Sequence, residues 1–451
     1  MRSGRSPVRD EVFSRIVRGA QREGRLPCVV AGVFRASSVV WSEAIGLADI
    51  EEGRDATGDT QFPIASITKT FAAVSVMQLR AEGRLDLADP LELHLPEAAE
   101  QGSLTLGDML SHASGLQREP PGEIWESLAF PDADELLARL PEAERVLAGG
   151  EAWHYSNLAY ALLGQVVERV SGTPFRQYVE ERLLKPLGLV RTTWGPTPPA
   201  AKPYLVEPYS DAVRREPELE LGGKGGESGL SSTVADLARW GSFLCDPDDA
   251  VVPAALVEEM HVVRIMARPD WTLGWGRGIE LWRRGERILA GHTGGFPGFL
   301  SMLVYSRSDR IGAVLLTNSG NWDELSDTGL RLVEAALDEL APAADPWAPE
   351  EPPPSEIELL LGRWWSEGSE SIFSWRAGRL EARLAAAPDR EPSVFEPEGT
   401  DRFRTRSGPE RGEVLRVVRG ADGRIEKLYW ATYPFTREPK TFGAGRAGDS
   451  T

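Results

Sequence analysis

Cysteine is nearly missing from this chain: 451 residues contain two, Cys28 and Cys245, and only five histidines. So few thiols exclude a disulfide framework, and no Cys/His spacing suits a zinc site. No metal and no cofactor are expected. Long apolar runs are also lacking, since no stretch approaches the length of a membrane span. The N-terminal M-R-S-G-R-S-P-V-R-D-E-V-F is basic but has neither the apolar core nor the small-residue cleavage site of an export signal. A cytoplasmic protein is therefore expected. Positive charge is short as well: 50 Lys and Arg stand against 69 Asp and Glu, a net charge of −19. That balance argues against nucleic acid or an anionic membrane as partner. Lysine supplies only six of the 50 basic residues, so each one is easy to single out.

What is present is an ordinary globular composition, 41% hydrophobic and 26% charged, in a chain long enough for two or three domains. Val12, Phe13, Ile16, Val17 and Ala20 make one apolar helical stripe within residues 10–23. Two β-rich runs follow, C-V-V-A-G-V-F-R and S-V-V-W-S-E-A-I-G, joined as a hairpin. A helix from Ser66 to about Gly83 opens a mostly helical middle, with helices expected at 133–140, 156–170, 174–185 and 232–244. The 174–185 helix is expected to start at Thr173-Pro174, with Thr as cap and proline at the first helical position. Strands return at 286–291, 299–306 and 310–317, and a helix at 322–339 closes the unit. The order predicts an α+β domain, residues 1–340, whose sheet is built from both ends with a helical subdomain inserted between. A Pro-rich linker occupies 341–355. Residues 356–451 alternate short strand-like runs with Gly, Asp and Pro turns, which predicts a small antiparallel β-barrel-like domain.

Three polar clusters carry the chemistry. In P-I-A-S-I-T-K-T-F, Ser66 and Lys69 are three apart, so on a helix they share one face. At a helix N-terminus the unpaired N–H groups and the dipole favour a developing alkoxide and a partly neutral lysine. In W-H-Y-S-N-L, Tyr155 and Asn157 precede an amphipathic helix. There a phenol can shuttle a proton while a carboxamide holds a lysine or a substrate carbonyl. In A-G-H-T-G-G-F-P-G-F, His292 and Thr293 are expected to end a strand, and Gly294 and Gly295 let backbone N–H groups approach a ligand. Taken singly, each cluster has a plain alternative: a surface pair, an N-cap Asn beside a packed Tyr, and a glycine-rich hairpin turn. His112, in L-S-H-A-S-G-L, reads as a structural residue embedded in a helix.

Together, S-x-x-K near residue 66, Y-x-N about 90 residues on and H-T-G on a late strand resemble the penicillin-recognising serine hydrolases. That superfamily includes class C β-lactamases, D-Ala-D-Ala peptidases, esterases and aminopeptidases. L-A-D-P-L-E-L-H-L-P-E, L-S-H-A-S-G-L and G-L-S-S-T-V-A-D-L-A-R-W support the likeness over roughly residues 10–340. The resemblance implies a β-lactamase/transpeptidase-like antiparallel sheet with flanking helices. Ser66 would be the nucleophile, Lys69 its proton acceptor and Tyr155 the relay to the leaving group. Asn157 would orient Lys69 and a substrate amide, and the backbone N–H groups of Ser66 and Gly295 would form an oxyanion hole. Where antibiotic hydrolases usually carry lysine, this chain has His292, largely neutral at pH 7, which favours a different acyl donor.

With no export signal and a β domain after the linker, the chain most resembles the penicillin-binding-protein-type thioesterases. These stand-alone non-ribosomal peptide cyclases pair such a hydrolase domain with a lipocalin-like C-terminal domain. That resemblance implies a peptidyl thioester substrate, presented by a carrier protein or replaced by an ester mimic, usually with a D-residue at the acyl terminus. Head-to-tail macrocyclisation would release it. Thr293, Gly294 and Arg437, the last in W-A-T-Y-P-F-T-R-E-P, are the candidate substrate-binding residues, Arg437 through a carboxylate. The alternatives are a cytoplasmic esterase or a D-amino-acid-specific peptidase/β-lactamase-related hydrolase, and a catalytically dead receptor that binds D-peptides through the same pocket.

Overall fold

The computed structural model describes residues 7–101, 104–219, 228–320, 322–340, 349 and 352–442. The chain divides into two compact units, Met1–Pro342 and Ala343–Thr451. Most of the expected linker, and residues 220–227 of the G-G-K-G-G-E loop, lie outside the described residues.

The first unit is organised on a nine-stranded sheet. Its strands are β1 (Cys28–Arg35), β2 (Ser38–Asp49), β3 (Arg54–Asp55), β4 (Ile265–Met266), β5 (Leu273–Trp275), β6 (Glu280–Arg284), β7 (Arg287–Phe296), β8 (Phe299–Ser306) and β9 (Ile311–Thr317). The order β3-β2-β1-β9-β8-β7-β6-β5-β4 joins the N-terminal hairpin to the late meander. The seam is the antiparallel β1–β9 pair, Val29 opposite Thr317. Both seam strands read as unbroken apolar runs because both faces of the sheet are covered. With a period of two, Val29, Ala31 and Val33 point to one side, against α1 (Pro7–Glu23) and the last helix of the unit, Leu325–Leu340. Val30 and Phe34 point to the other, into the larger core beneath the helical insertion.

That insertion contains α2 (Thr68–Ala81), α3 (Asn157–Ser171) and α4 (Val234–Cys245). From Thr68 through Leu79 every residue of α2 is buried, so this helix forms the centre of the unit and has no solvent face. Several boundaries differ from the sequence reading. The helix expected over 133–140 is α-helical only at Ala133–Ala138. The one expected over 174–185 has Pro174 itself at the cap and continues past Val179 as a wider turn. The strand expected at 286–291 runs on to Phe296, so H-T-G-G lies inside β7, paired with β8. Its glycines leave the ladder intact because a neighbouring backbone supplies the packing.

The second unit is an eight-stranded antiparallel sheet in plain chain order, from Gly362–Ser366 to Tyr433–Phe435. A bridge between Trp365 and Thr436 joins the first strand to the end of the last, which curls the sheet into a barrel. Trp364, Phe373, Phe395 and Trp430 fill its core.

Candidate active site

The chain approaches Ser66 under constraint. Phe62–Pro63 pairs with Leu230–Ser232, and Ile64 N–H donates to the Leu230 carbonyl at 2.9 Å. Ala65 then turns at φ +44°, a left-handed conformation costly for a residue with a Cβ. Ala65–Ile67 form a single 3-10 turn that runs into α2, so Ser66 precedes the helix, where the sequence reading had put it in the first turn. The strained turn is held from two sides. Ser301 on β8 donates to the Ile64 carbonyl at 2.9 Å. Gly294 on β7 packs so closely that a Cβ there would lie 2.3 Å from Ile64 O and from Ser301 Oγ. On the helix side, Thr70 Oγ1 donates to Ile67 O at 2.7 Å and itself accepts from Trp240 Nε1 at 2.8 Å. Trp240 also stacks on Phe71, ring centres 3.8 Å apart.

This turn directs Ser66 toward Lys69, whose Nζ donates to Ser66 Oγ at 2.9 Å. Lys69 is wholly buried. Its amine lies 5.1 Å from the centre of the Tyr155 ring and 5.7 Å from that of Tyr160. Tyr155 shares a hydrogen bond with the Ser66 side chain, while burial pushes its phenol above the usual tyrosine range. A neutral phenol touching the nucleophile is equipped to pass a proton. Ser156 caps α3, its Oγ accepting from Ala159 N–H at 3.0 Å, and Asn157 is the first helical residue. Tyr155 is thereby fixed one residue before the cap.

His112 props the same segment. Its Nδ1 accepts from Ser156 N–H at 3.0 Å, and its ring stacks on Tyr155 at 4.2 Å. It stands just past the helix Leu106–Leu110, at φ +56°, and not within it. Asn157 lines the cleft beside Ser66, and its Nδ2 donates to Glu119 Oε1 at 2.7 Å, a partner the sequence did not suggest.

The third cluster closes the site from β7. His292 is buried, and its ring centre is 6.5 Å from that of Tyr155. Burial and the neighbouring Lys69 push its pKa down to about 3, so the ring is neutral at any working pH. Thr293 makes two hydrogen bonds to Glu280 Oε1, from Oγ1 at 2.8 Å and from N–H at 3.2 Å. Glu280 is a buried carboxyl on β6 whose pKa burial raises to about 7. The sequence reading missed it. Its signal was there in G-R-G-I-E-L-W: one carboxylate in an apolar strand run requires a buried partner. Since His292 titrates near 3 and Glu280 near 7, their 3.5 Å contact is a polar contact between neutral groups in mildly acidic solution, not an ion pair.

Ser66, Tyr155, Asn157, Glu280, Thr293 and Gly295 all line one cleft of about 750 Å³, walled by Trp125, Trp153, Trp275 and Trp282. Arg437 belongs to the other unit. There its guanidinium donates to the carbonyls of Leu359, Leu361 and Arg363 at 2.7–3.0 Å and covers the Trp364 ring at 3.8 Å. Among the described residues no group of three or more His, Cys, Asp or Glu is placed to hold a metal. Nor is any helix long and apolar enough to cross a membrane.

A hydroxyl bonded to a buried lysine and to a phenol, with a glycine strand at its back, is the equipment for acyl transfer through serine. The family model described as Beta-lactamase matches residues 13–337. The chain belongs to the beta-lactamase family. A second model, a domain of unknown function, matches residues 353–437. Among curated members, Esterase EstB of Burkholderia gladioli is 38% identical over 197 residues, 40% of this chain and 49% of that protein. Protein flp of Staphylococcus aureus (strain MW2) is 26% identical over 317 residues, 66% and 60% respectively. The chain thus spans half to three fifths of the length of these beta-lactamase relatives. A D-stereospecific amidohydrolase from Streptomyces sp. superposes with a TM-score of 0.63 at 25% identity, over 72% of this chain and 98% of its own. SurE superposes with a TM-score of 0.58 at 24% identity, over 96% and 99%, a likeness of fold.

Proposed function

We propose that this member of the beta-lactamase family is a peptide cyclase of the thioesterase type. It takes a peptidyl group from a carrier-protein thioester onto Ser66 and releases it as a head-to-tail ring. The observation carrying the acyl-transfer step is the 2.9 Å contact from Lys69 Nζ to Ser66 Oγ beside the Tyr155 phenol. In the first half-reaction the lysine, as free amine, accepts the serine proton while Oγ bonds to the acyl carbon. The C–S bond breaks, and the thiolate leaves protonated through Tyr155. In the second, the peptide's own amine attacks the ester carbon. Its proton passes through Tyr155 and Lys69 to Ser66 Oγ as the ester bond breaks. The backbone N–H groups of Ser66 and Gly295 hold the oxyanion both times.

Two features favour a peptidyl donor over a β-lactam. The neutral ring of His292 offers no fixed cation for an antibiotic's carboxylate, unlike the lysine common in antibiotic hydrolases. The cleft, with Trp125, Trp153, Trp275 and Trp282 along its wall, offers volume for several residues of a peptide. Intramolecular attack adds an effective molarity of up to roughly 10⁵ M. The reading includes a carrier protein as partner and a D-residue at the acyl terminus.

A second reading, an esterase or D-specific amidohydrolase, is favoured by the likeness to Esterase EstB and to the Streptomyces D-stereospecific amidohydrolase. One experiment separates the two. Linear peptidyl thioesters ending in D- or L-residues are incubated with the protein beside a nitrophenyl ester, and the products are weighed by mass spectrometry. Loss of the thiol with no gain of water marks the ring. Free acid from every thioester, with brisk ester turnover, establishes the hydrolase instead.

A further inference from the structure

Glu280 has no place in the mechanism just derived, yet it is among the most constrained side chains of the first unit. It opens β6, directly opposite Gly291 on β7. It is 5% exposed. The titratable groups facing it are Lys69 from α2, Tyr155 from the segment before α3, and His292 from β7. Its Oε1 takes both hydrogen bonds from Thr293 and stands 3.5 Å from His292 Nδ1. The same ring nitrogen lies 2.5 Å from the Thr293 carbonyl oxygen. A carbonyl can only accept, so Nδ1 carries the hydrogen. In a neutral ring the lone pair then sits on Nε2, which is buried and has no hydrogen-bond partner. An acceptor sealed off from solvent is costly unless a donor meets it during the reaction cycle.

We propose that Glu280 is a positioning residue of the acyl-transfer site: by accepting both hydrogen bonds of Thr293 it holds the Thr293 carbonyl on His292 Nδ1 and so fixes the imidazole as the Nδ1–H tautomer, with a buried lone pair on Nε2. The proposal rests on the serine acyl-transfer reading, not on whether the product is a ring or an acid. Two donors from Thr293 on one oxygen tie that residue to the carboxyl, and the Thr293 carbonyl so held determines which ring nitrogen is protonated. This is the logic by which a buried acid orients a histidine in hydrolases of other folds. Here the histidine stands beside a lysine.

The test compares Glu280→Gln, which keeps an oxygen acceptor without the charge, with Glu280→Leu, which keeps neither. Nitrophenyl-ester turnover at pH 8 and ¹⁵N spectra of ring-labelled protein are measured for each. The expected result is a protonated Nδ1 and unprotonated Nε2 in the wild type. In the leucine variant a mixed tautomer population should accompany a kcat loss of about tenfold or more, with KM within about twofold. The glutamine variant should rescue the tautomer and at least a third of the rate. Its rate profile should lose the limb near pH 7 that the Glu280 carboxyl contributes. A wild-type ring protonated on Nε2, or a leucine variant with wild-type tautomer and kcat, overturns the proposal. Should the leucine variant fail to fold, the glutamine variant decides it, a retained limb near pH 7 counting against. A wild type inert toward every ester would sink the acyl-transfer reading, and the ring spectra would still judge the tautomer.

Discussion

Two cations, one in each unit, show how differently this chain uses positive charge. Lys69 is fully buried in the centre of the first unit, on a helix with no exposed face, with its amine on the Ser66 hydroxyl. Arg437 lies at the surface of the second unit, clipping three carbonyls and capping the Trp364 ring. Burying an ammonium is expensive, and a structure keeps such a group where its proton is needed. A guanidinium on backbone carbonyls holds its proton permanently and serves as a brace. The first unit also gathers the acids and bases that burial perturbs, Tyr155, His292 and Glu280, around that single amine.

The contrast breaks most sharply at the nucleophile. Ser66→Ala or Lys69→Ala should lower ester turnover by roughly 10⁴-fold or more while leaving the unfolding curve in place. Rates within tenfold of wild type would remove the contrast altogether. Tyr155→Phe, which keeps the ring against His112 and deletes the proton path, should cost about 10²–10⁴ in kcat. Its checks are kcat and the lost basic or acidic limb of the rate profile.

Stability against pH sharpens the comparison further. The folded pKa of Glu280 is raised from 4.5 to about 7, so its favourable contribution is complete below 4.5 and is lost as pH rises through 7. His292 acts oppositely: its depressed pKa contributes fully above 6.5, and the contribution is lost as pH falls toward about 3. The two trends oppose one another between 4.5 and 6.5. Glu280→Gln removes only the first, so its stability relative to wild type should rise by about 3 kcal/mol between pH 4 and pH 8. Urea melts at both pH values measure this, and a constant difference would contradict it.

Gly294→Ala should cost about 1–3 kcal/mol, because its Cβ meets backbone at Ile64 and the Ser66 turn must shift. The smallest effect belongs to the brace. Arg437→Ala should lower the stability of the second unit by about 1 kcal/mol, since the released carbonyls can turn to water. A thermal melt of the intact chain shows this as a shift of the second unit's transition.

The local chemistry of Ser66, Lys69, Tyr155 and His292 was legible because short spacings dictate which side chains share a face, whatever surrounds them. The α+β order and the late barrel followed from apolar periodicity, a local property too. Other features depended on residues far apart in the chain. The strain at Ala65 is held by Ser301 and Gly294. H-T-G-G remains a strand because β8 pairs with it, although four of its neighbouring signals spelled a turn. Glu280 acquires its partners only when β6 pairs with β7.

The sequence by itself determined which reactive side chains are available and which of them share one side of a helix or strand, since identity and spacing are written in the chain. Tertiary structure alone decided how those groups are tuned. Burial, ring tautomer and the partner of a lone carboxyl arise from segments hundreds of residues apart meeting in one place. There desolvation, which no local window contains, sets which of them hold their protons.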